Sequence, residues 1–579
     1  MGWLKRNQAA ILFAIFIPLV LAANLFVWNK TLFLLNTDLD SGGYLFHNYF
    51  RTIGYQFFLQ MTNFSGRLYY TPAIQLNLLL ASFLYLAFGV LACFRSLGLA
   101  ALVLLICCLN ATALAESYLL MTECMFMAAL CLTFGALLQT LAKPSWIRAG
   151  QTGVFFVVAY AVRPAGLFLL LPLAVILADR RVRRLSVIVA ALIPIVFGPT
   201  LLAAWNYRTL GVFGNSAMGG VSLAGQTAHL IGLNDPSDSL GGRIASEVAP
   251  VVAKIRAAHG LSGRWHASIG TYDEALWLHV FPQLVYQTYL DRPGLFLQTT
   301  ASPGVVQQIR ERLNNDDVKA GLGRFYPRLL PPESKPTSAN AVVYLLNPYI
   351  RGKVAAPDRA YVLNPIPLAQ VTRLGSQTAL RAIIRHPVSY AAHVSAHIYG
   401  MWASLFIDKP WSIVPDEMRR TNSLSSRMPD TPLGRAVSRR VYPDGLIAKV
   451  ASSSAHCKIP IDWVWSVLTK ADIVWRALAF ALSLIFLPTA LMGRSPEYKA
   501  LGCLSVGVWA NFGMVAMSVN AIERYAVVME PIIICLLCAG GMLALRAGGD
   551  RLPGHWSWKA WPKDLAAQII EHTIFLRKT

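Results

Sequence analysis

Charge is what this 579-residue chain has least of: Asp, Glu, Lys and Arg together make up 14% of it, against about a quarter of an ordinary soluble domain. The shortage is steepest for acid, with 29 carboxylates set against 51 Lys and Arg and a formal net charge of +22. A cationic surplus raises nucleic acid as a partner, but no basic helix interleaved with stacking aromatics is present, and nucleic acid is set aside. The arginines instead flank apolar runs, where they meet anionic lipid headgroups. Cysteine is also scarce where it would matter most. Eight of the nine cysteines (Cys93, Cys107, Cys108, Cys124, Cys131, Cys503, Cys535 and Cys538) lie in or beside apolar runs. Cys457 alone falls in the long polar region, which therefore cannot close an internal disulfide. No paired CxxC zinc pattern exists; Cys535 and Cys538 have the spacing but sit inside an apolar run and read as small packing residues. Internal repeats and low-complexity tracts are missing too.

What the chain has is apolar length. Runs cover 9–28, 73–94, 97–114, 119–141, 153–162, 165–177 and 185–204, then 473–491, 500–519 and 526–545. A span needs roughly 20 residues. The first run follows Lys5 and Arg6 and predicts a retained helix, because no small-residue cleavage site ends it. The short runs on either side of Arg163-Pro164 read as two short helices. Arg95, Lys143 with Arg148, the Arg180–Arg184 cluster, and Arg494 with Lys499 fall on alternate connections, which the positive-inside rule makes cytoplasmic. The scheme closes with about ten spans and both ends inside.

The organisation expected is a transmembrane core over 1–205, an external domain over 206–472, C-terminal spans over 473–546 and a cytoplasmic tail over 547–579. The external stretch is too long for a loop without structure. Helices are expected over 305–313 and 379–406, with breaks at Pro331-Pro332 and Asn347-Pro348. Segment 393–406 carries two histidines and is short, so a helix lying at the membrane interface is expected rather than a span. Trp556, Trp558 and Trp561 among lysines suggest an amphipathic anchor in the tail.

Chemistry concentrates at the connections on the other face. The loop after the first run reads Asn36-Thr37-Asp38-Leu39-Asp40-Ser41-Gly42-Gly43-Tyr44-Leu45-Phe46-His47. Two carboxylates stand at i and i+2 on an irregular backbone followed by paired glycines. Transfer of a sugar to a hydroxyl needs a base for the acceptor proton, and a partly desolvated carboxylate at a membrane surface has the raised basicity that suits it. A solvated acidic loop gives the same pattern. Ionisable groups within spans are costly and by default mark function. Arg163, where two short runs meet, and Arg524, at the start of the last run, can bind a lipid-linked phosphate bidentately and stabilise charge gathered on it. Snorkelling arginines that merely anchor helices are the plainer alternative. Glu123 is expected as an arginine partner, Glu530 as a partner or a site member, and Arg67, beside Tyr69-Tyr70, as a third phosphate ligand. His47 is a supporting candidate. His393 and His397 have the i, i+4 spacing of HExxH, but Val394 stands where the glutamate belongs, so they read as packing residues. No metal-ligand set is assigned, although a divalent cation at Asp38 and Asp40 stays open.

Several of these segments carry a resemblance. Asp40-Ser41-x-x-Tyr44, followed by a helix ending near Gly54, is similar to the first-loop signature of the GT-C superfamily. These are polyprenyl-phosphate-sugar-dependent glycosyltransferases, including protein O-mannosyltransferases and the lipid A aminoarabinose transferase. Tyr118 through Thr122-Glu123 resembles the family's TE element, and Val162-Arg163-Pro164 its RP break. Trp205-Asn206-Tyr207-Arg208 with Gly211, Phe213 and Gly219-Gly220 resembles the segment leaving the membrane. Ile384-Arg385-His386-Pro387-x-x-Tyr390 resembles its I-x-x-P-x-x-Y helix start. Glu523-Arg524-Tyr525 followed by Pro531 resembles its late RY…P element. The stretch 223–375 matches nothing in the family.

The resemblance implies an all-α polytopic membrane protein of GT-C type with a mainly helical external domain. It implies an inverting transferase with Asp40 as base, Asp38 as the second candidate and Tyr44 in support. Arg163, Arg524 and Tyr525, with Arg67, would hold the donor phosphate. The partners would be a polyprenyl-phosphate-linked sugar, a glycan, lipid or protein acceptor, and membrane lipids. The setting would be a bacterial inner membrane, crossed many times, with the site facing the periplasm. The basic external stretch hints at an anionic acceptor such as lipopolysaccharide. Two rivals stand beside it: a transporter or flippase for a lipid-linked substrate, and an O-antigen-ligase-like transferase using a diphosphate donor.

Overall fold

The computed structural model describes residues 7–31, 52–63, 68, 70–214, 216, 218–232, 235–258, 279–292, 367–407, 472–493, 495–518 and 526–549. Among these the chain is helical, with no β-strand. The N-terminal elements are α1 (Gln8–Thr31), α2 (Ile53–Met61), α3 (Thr71–Phe94), α4 (Leu97–Cys108), α5 (Ala111–Ala115) with a 3-10 turn at Glu116–Tyr118, α6 (Thr122–Ala142) and α7 (Trp146–Val162). A 3-10 segment, Pro164–Leu169, leads into α8 (Leu170–Leu177), and α9 (Leu185–Leu210) follows. Then come α10 (Gly219–Gln226), α11 (Leu240–Ala258), α12 (Phe281–Asp291), α13 (Leu368–Arg385) and α14 (Pro387–Ile407). The last are α15 (Asp472–Phe486), α16 (Thr489–Met492), α17 (Pro496–Ser518) and α18 (Glu530–Gly549).

Five of these helices are long and apolar enough to cross a membrane, or six when the bent pair around residue 110 is taken as one span. The expected single run over 97–114 is bent by 49°. The cause is local: the Asn110 side chain accepts a hydrogen bond from Ala113 N at 3.1 Å and starts a new helix, as Asn does at helix N-caps. The helix of the first loop runs through Gly54 to Met61 rather than ending near Gly54. α9 continues to Leu210, past the expected boundary at 205. The expected helix over 305–313 and the Trp-rich tail lie outside the described residues.

Packing follows membrane logic, in which small residues let backbones approach. α6 sits at the centre, with 83% of its apolar window buried, against 17% for α9 and 22% for α1. Gly89 of α3 and Gly135 of α6 face each other so closely that a Cβ on either would strike backbone. Between α7 and α9, a Cβ on Gly153 would strike the Ala191 carbonyl, and one on Gly198 would strike the Val157 side chain. The outward residues of α1 (Phe13, Ile17, Leu21) and α9 (Ile193, Phe197, Leu201) are exposed, a surface suited to lipid and not to water.

At Arg163 the backbone is extended (φ −145°, ψ 131°) and Pro164 opens the next segment. Gly166 lies against Ala159 and Tyr160, so the chain doubles back on α7. Each helix that starts or ends near Arg163 therefore has its other end on the opposite side of the bundle. There the connections bearing Arg95, Lys143 with Arg148, and Arg180–Arg184 gather, joined by Lys499. Asp179 binds Arg181 at 2.8 Å and Lys499 at 3.4 Å. Burial pushes the Asp179 carboxyl up. Hydrogen bonds from the Arg181 side chain and backbone, with the charges of Lys499 and Arg181, outweigh that and lower it to about 2.

α10 packs on α13 through Gly220 and Gly375, and α11 and α12 complete a second helical cluster. Pro387 ends α13 and begins α14, since proline removes a donor and disfavours helix before it. α14 was expected to lie along the interface over 393–406. It is longer and leans on α15 and α17: Trp402 packs on Phe480, Trp509 and Phe512, and Tyr390 donates to Met517 O at 2.8 Å.

Candidate functional site

One end of the bundle collects buried polar groups that an apolar chain would otherwise avoid. Glu123 enters from the first turn of α6, where a helix N-terminus favours an acid. Arg163 enters from the C-terminal end of α7. Arg163 Nη2 lies 2.9 Å from Glu123 Oε1, and the two side chains are 10% and 1% exposed. Thr122 Oγ1 donates to Glu123 Oε2 at 3.4 Å, and the guanidinium carbon stands 5.8 Å from the Phe126 ring centroid. Desolvating two charges costs several kcal/mol per ion, so a pair like this is weak evidence for stability and better evidence for a role.

Around the pair lies a network that sequence reasoning did not single out. Tyr55 OH donates to Gln75 Oε1 at 2.8 Å. Gln75 Nε2 in turn donates to Ser117 O at 2.6 Å and Leu119 O at 3.2 Å. Gln75 thereby ties the first turns of α3 to the 3-10 turn that precedes α6. Thr52 Oγ1 donates to Val162 O at 2.6 Å. Gly54 makes that approach feasible, because a Cβ there would strike the Ala161 and Val162 backbone. The chain leaving the first loop is thus fixed beside Arg163. From the far end of the sequence, Glu530 Oε2 accepts from Asn110 Nδ2 at 2.6 Å, and Glu530 is 1% exposed. The only available sequence signal was a polar residue, Gln75 or Asn110, inside an apolar run.

Of the predicted site residues, the structure brings Glu123 and Arg163 together and pairs Glu530 with Asn110. Asp38, Asp40, Tyr44, His47, Arg67, Arg524 and Tyr525 lie outside the described residues. The flanking segments are informative nonetheless. Thr52, which follows the first loop, and α18, which follows Arg524 and Tyr525, both belong to the Arg163 end.

The histidines form a separate group. His393 and His397 are buried with ring centroids 4.2 Å apart, the His229 ring lies 4.6 Å from that of His393 at a 34° tilt, and His393 Nε2 meets Gln226 Oε1 at 2.8 Å. Among the described residues no group of three or more His, Cys, Asp or Glu is placed to hold a metal ion. Comparison with known protein families, curated proteins and solved structures finds no match to this chain.

Proposed function

We propose that the chain is a GT-C-type inverting glycosyltransferase that moves a sugar from a polyprenyl-phosphate donor to an acceptor hydroxyl. In this reading it crosses a bacterial inner membrane about ten times, with the Arg163 end toward the periplasm. The four arginine- and lysine-bearing connections at the opposite end support that orientation under the positive-inside rule.

The observation that carries the reading is the buried Glu123–Arg163 pair at a break between two helices. A guanidinium held in low dielectric by a carboxylate is pre-oriented to meet a phosphate, and such preorganised charge is worth far more there than in water. Arg524, with Arg67 and Tyr525, would complete the phosphate site. In the transfer the acceptor oxygen bonds to the anomeric carbon as the bond from that carbon to the phosphate oxygen breaks. The electron pair leaves with the polyprenyl phosphate, and the acceptor proton passes to Asp40. Asp38, Tyr44 and His47 support the base from the same loop.

The test uses the full chain reconstituted with a polyprenyl-phosphate sugar. Asp40→Asn should stop transfer while donor binding persists; transfer at the wild-type rate would overturn the reading. Donor movement across the bilayer without sugar transfer would mark a flippase instead. Activity with diphosphate-linked donors alone would mark an O-antigen-ligase-like enzyme.

A further inference from the structure

A cavity of about 810 Å³ opens in the second helical cluster, between residues 230–232 and 235–243, α12 and α13. Its size falls in the range of pockets that enclose a ligand of about two or three rings. Its wall is a built surface. Gly232 adopts a left-handed φ of +71°, and its Cα side is pressed on the Gly241 backbone with no room for a Cβ. That close turn presents Asp235 to α13, where Arg385 Nη1 meets Asp235 Oδ1 at 2.6 Å. On the facing wall Arg243 donates to Gln287 and to the Asp238 carbonyl. Gln287 Nε2 donates onward to Asp291 Oδ1 at 2.8 Å. Gln377, Arg381 and Arg385 recur every fourth residue of α13 and line the same space.

The charges cancel. Among the described residues, three guanidinium groups (Arg243, Arg381, Arg385) and three carboxylates (Asp235, Asp238, Asp291) line the cavity. Such a balance gives no net field to concentrate an anion. It does supply many planar donors and acceptors in fixed orientations, with Leu230, Leu290 and Leu374 between them. Among the described residues no aromatic ring other than His386 lines the cavity, which leaves little for a nucleobase to stack on. A polyhydroxylated chain can use such dense donors and acceptors, balanced in charge, beside aliphatic patches. The helix that lines the cleft leads to the same end of the bundle as the proposed site. One helical turn beyond His386, Tyr390 binds Met517 at the C-terminal end of α17, the Arg163 end of that helix.

We propose that this cleft binds an uncharged glycan segment. Its role as the acceptor site rests on the transferase reading; the binding itself does not. The neutral balance also departs from the anionic acceptor that the basic composition suggested.

The test is retention of the full-length protein in nanodiscs on an array of neutral, carboxylated, sulfated and phosphorylated oligosaccharides. Neutral glycans should be retained, and Gln377→Trp, at an exposed position that spares folding, should reduce retention at least tenfold. Arg381→Gln should weaken neutral binding only a few-fold. The proposal is overturned if no neutral glycan is retained, if acidic glycans are preferred and lost with Arg381→Gln, or if Gln377→Trp binds as wild type. Glycan binding that survives in a protein without transfer activity would sink the transferase reading and leave this one standing.

Discussion

At the Arg163 end the bundle buries an ion pair, its side chains 10% and 1% exposed, whereas at the Asp179 end, with Asp179 at 5% and Lys499 at 11%, Arg181 keeps 39% of its side chain in solvent. The same kinds of side chain serve opposite purposes at the two ends. Around Asp179 a buried carboxylate gathers two cations, and of the three groups Arg181 alone reaches well into water, where salt screens its charge. Around Glu123 an acid and a base are buried together beside Phe126, at a cost that packing alone would not justify. The bundle leaves one arm of its charge cluster open to water at one end and closes both partners of the pair where chemistry is proposed.

The largest break in this contrast should come from Glu123→Ala, which leaves the Arg163 guanidinium buried without its acid. We expect a loss of about 3–5 kcal/mol, read as a lower unfolding midpoint in detergent. The double variant Glu123→Met/Arg163→Met should recover most of that loss and still fail to transfer sugar. Recovery of activity would remove the pair from the mechanism.

Asp179→Asn should cost less, about 1–3 kcal/mol, because Arg181 can turn to water. The Asp179 carboxyl is held at about 2, below its unfolded value near ~4. Its contribution is therefore present above that unfolded value and fades only as pH falls through about 2. The stability gap between wild type and Asp179→Asn should stay constant from about pH 8 to about pH 5. A gap that shrinks across that window would show the carboxyl titrating higher.

Glu530→Gln keeps a hydrogen-bond acceptor for Asn110 and loses only the charge, for about 1 kcal/mol. The smallest effect belongs to Asn24 and Asn77. Their side-chain amides exchange reciprocal hydrogen bonds at 3.2 Å between α1 and α3, and Asn24→Leu should cost about 0.6 kcal/mol. A cost there as large as that of Glu123→Ala would mean that polar contacts in this bundle do not sort by burial.

Much of the helical frame was legible because apolar length and proline speak locally. The run over 73–94 became Thr71–Phe94, and Arg163-Pro164 broke the chain as a missing amide donor requires. The start of the last helix at Glu530, later than the run at 526, follows from Pro531 in its first turn. The partners were less legible. Asn110 and Glu530 are separated by 420 residues, and Gln75 reads as one polar residue in an apolar stretch until Tyr55 and Ser117 close on it. Glu123 as an arginine partner was readable because an acid inside a span needs a base. Which arginine it took depended on the α6–α7 crossing, which no local pattern encodes.

The glycine at position 54 sets a mechanical condition on everything attached to it. With only hydrogen between α2 and the last carbonyls of α7, the two segments share a seam one atom thick, and neither can rotate without carrying the other. A methyl group there would act as a wedge, lifting Thr52 from Val162 and transmitting its displacement to the guanidinium one residue on.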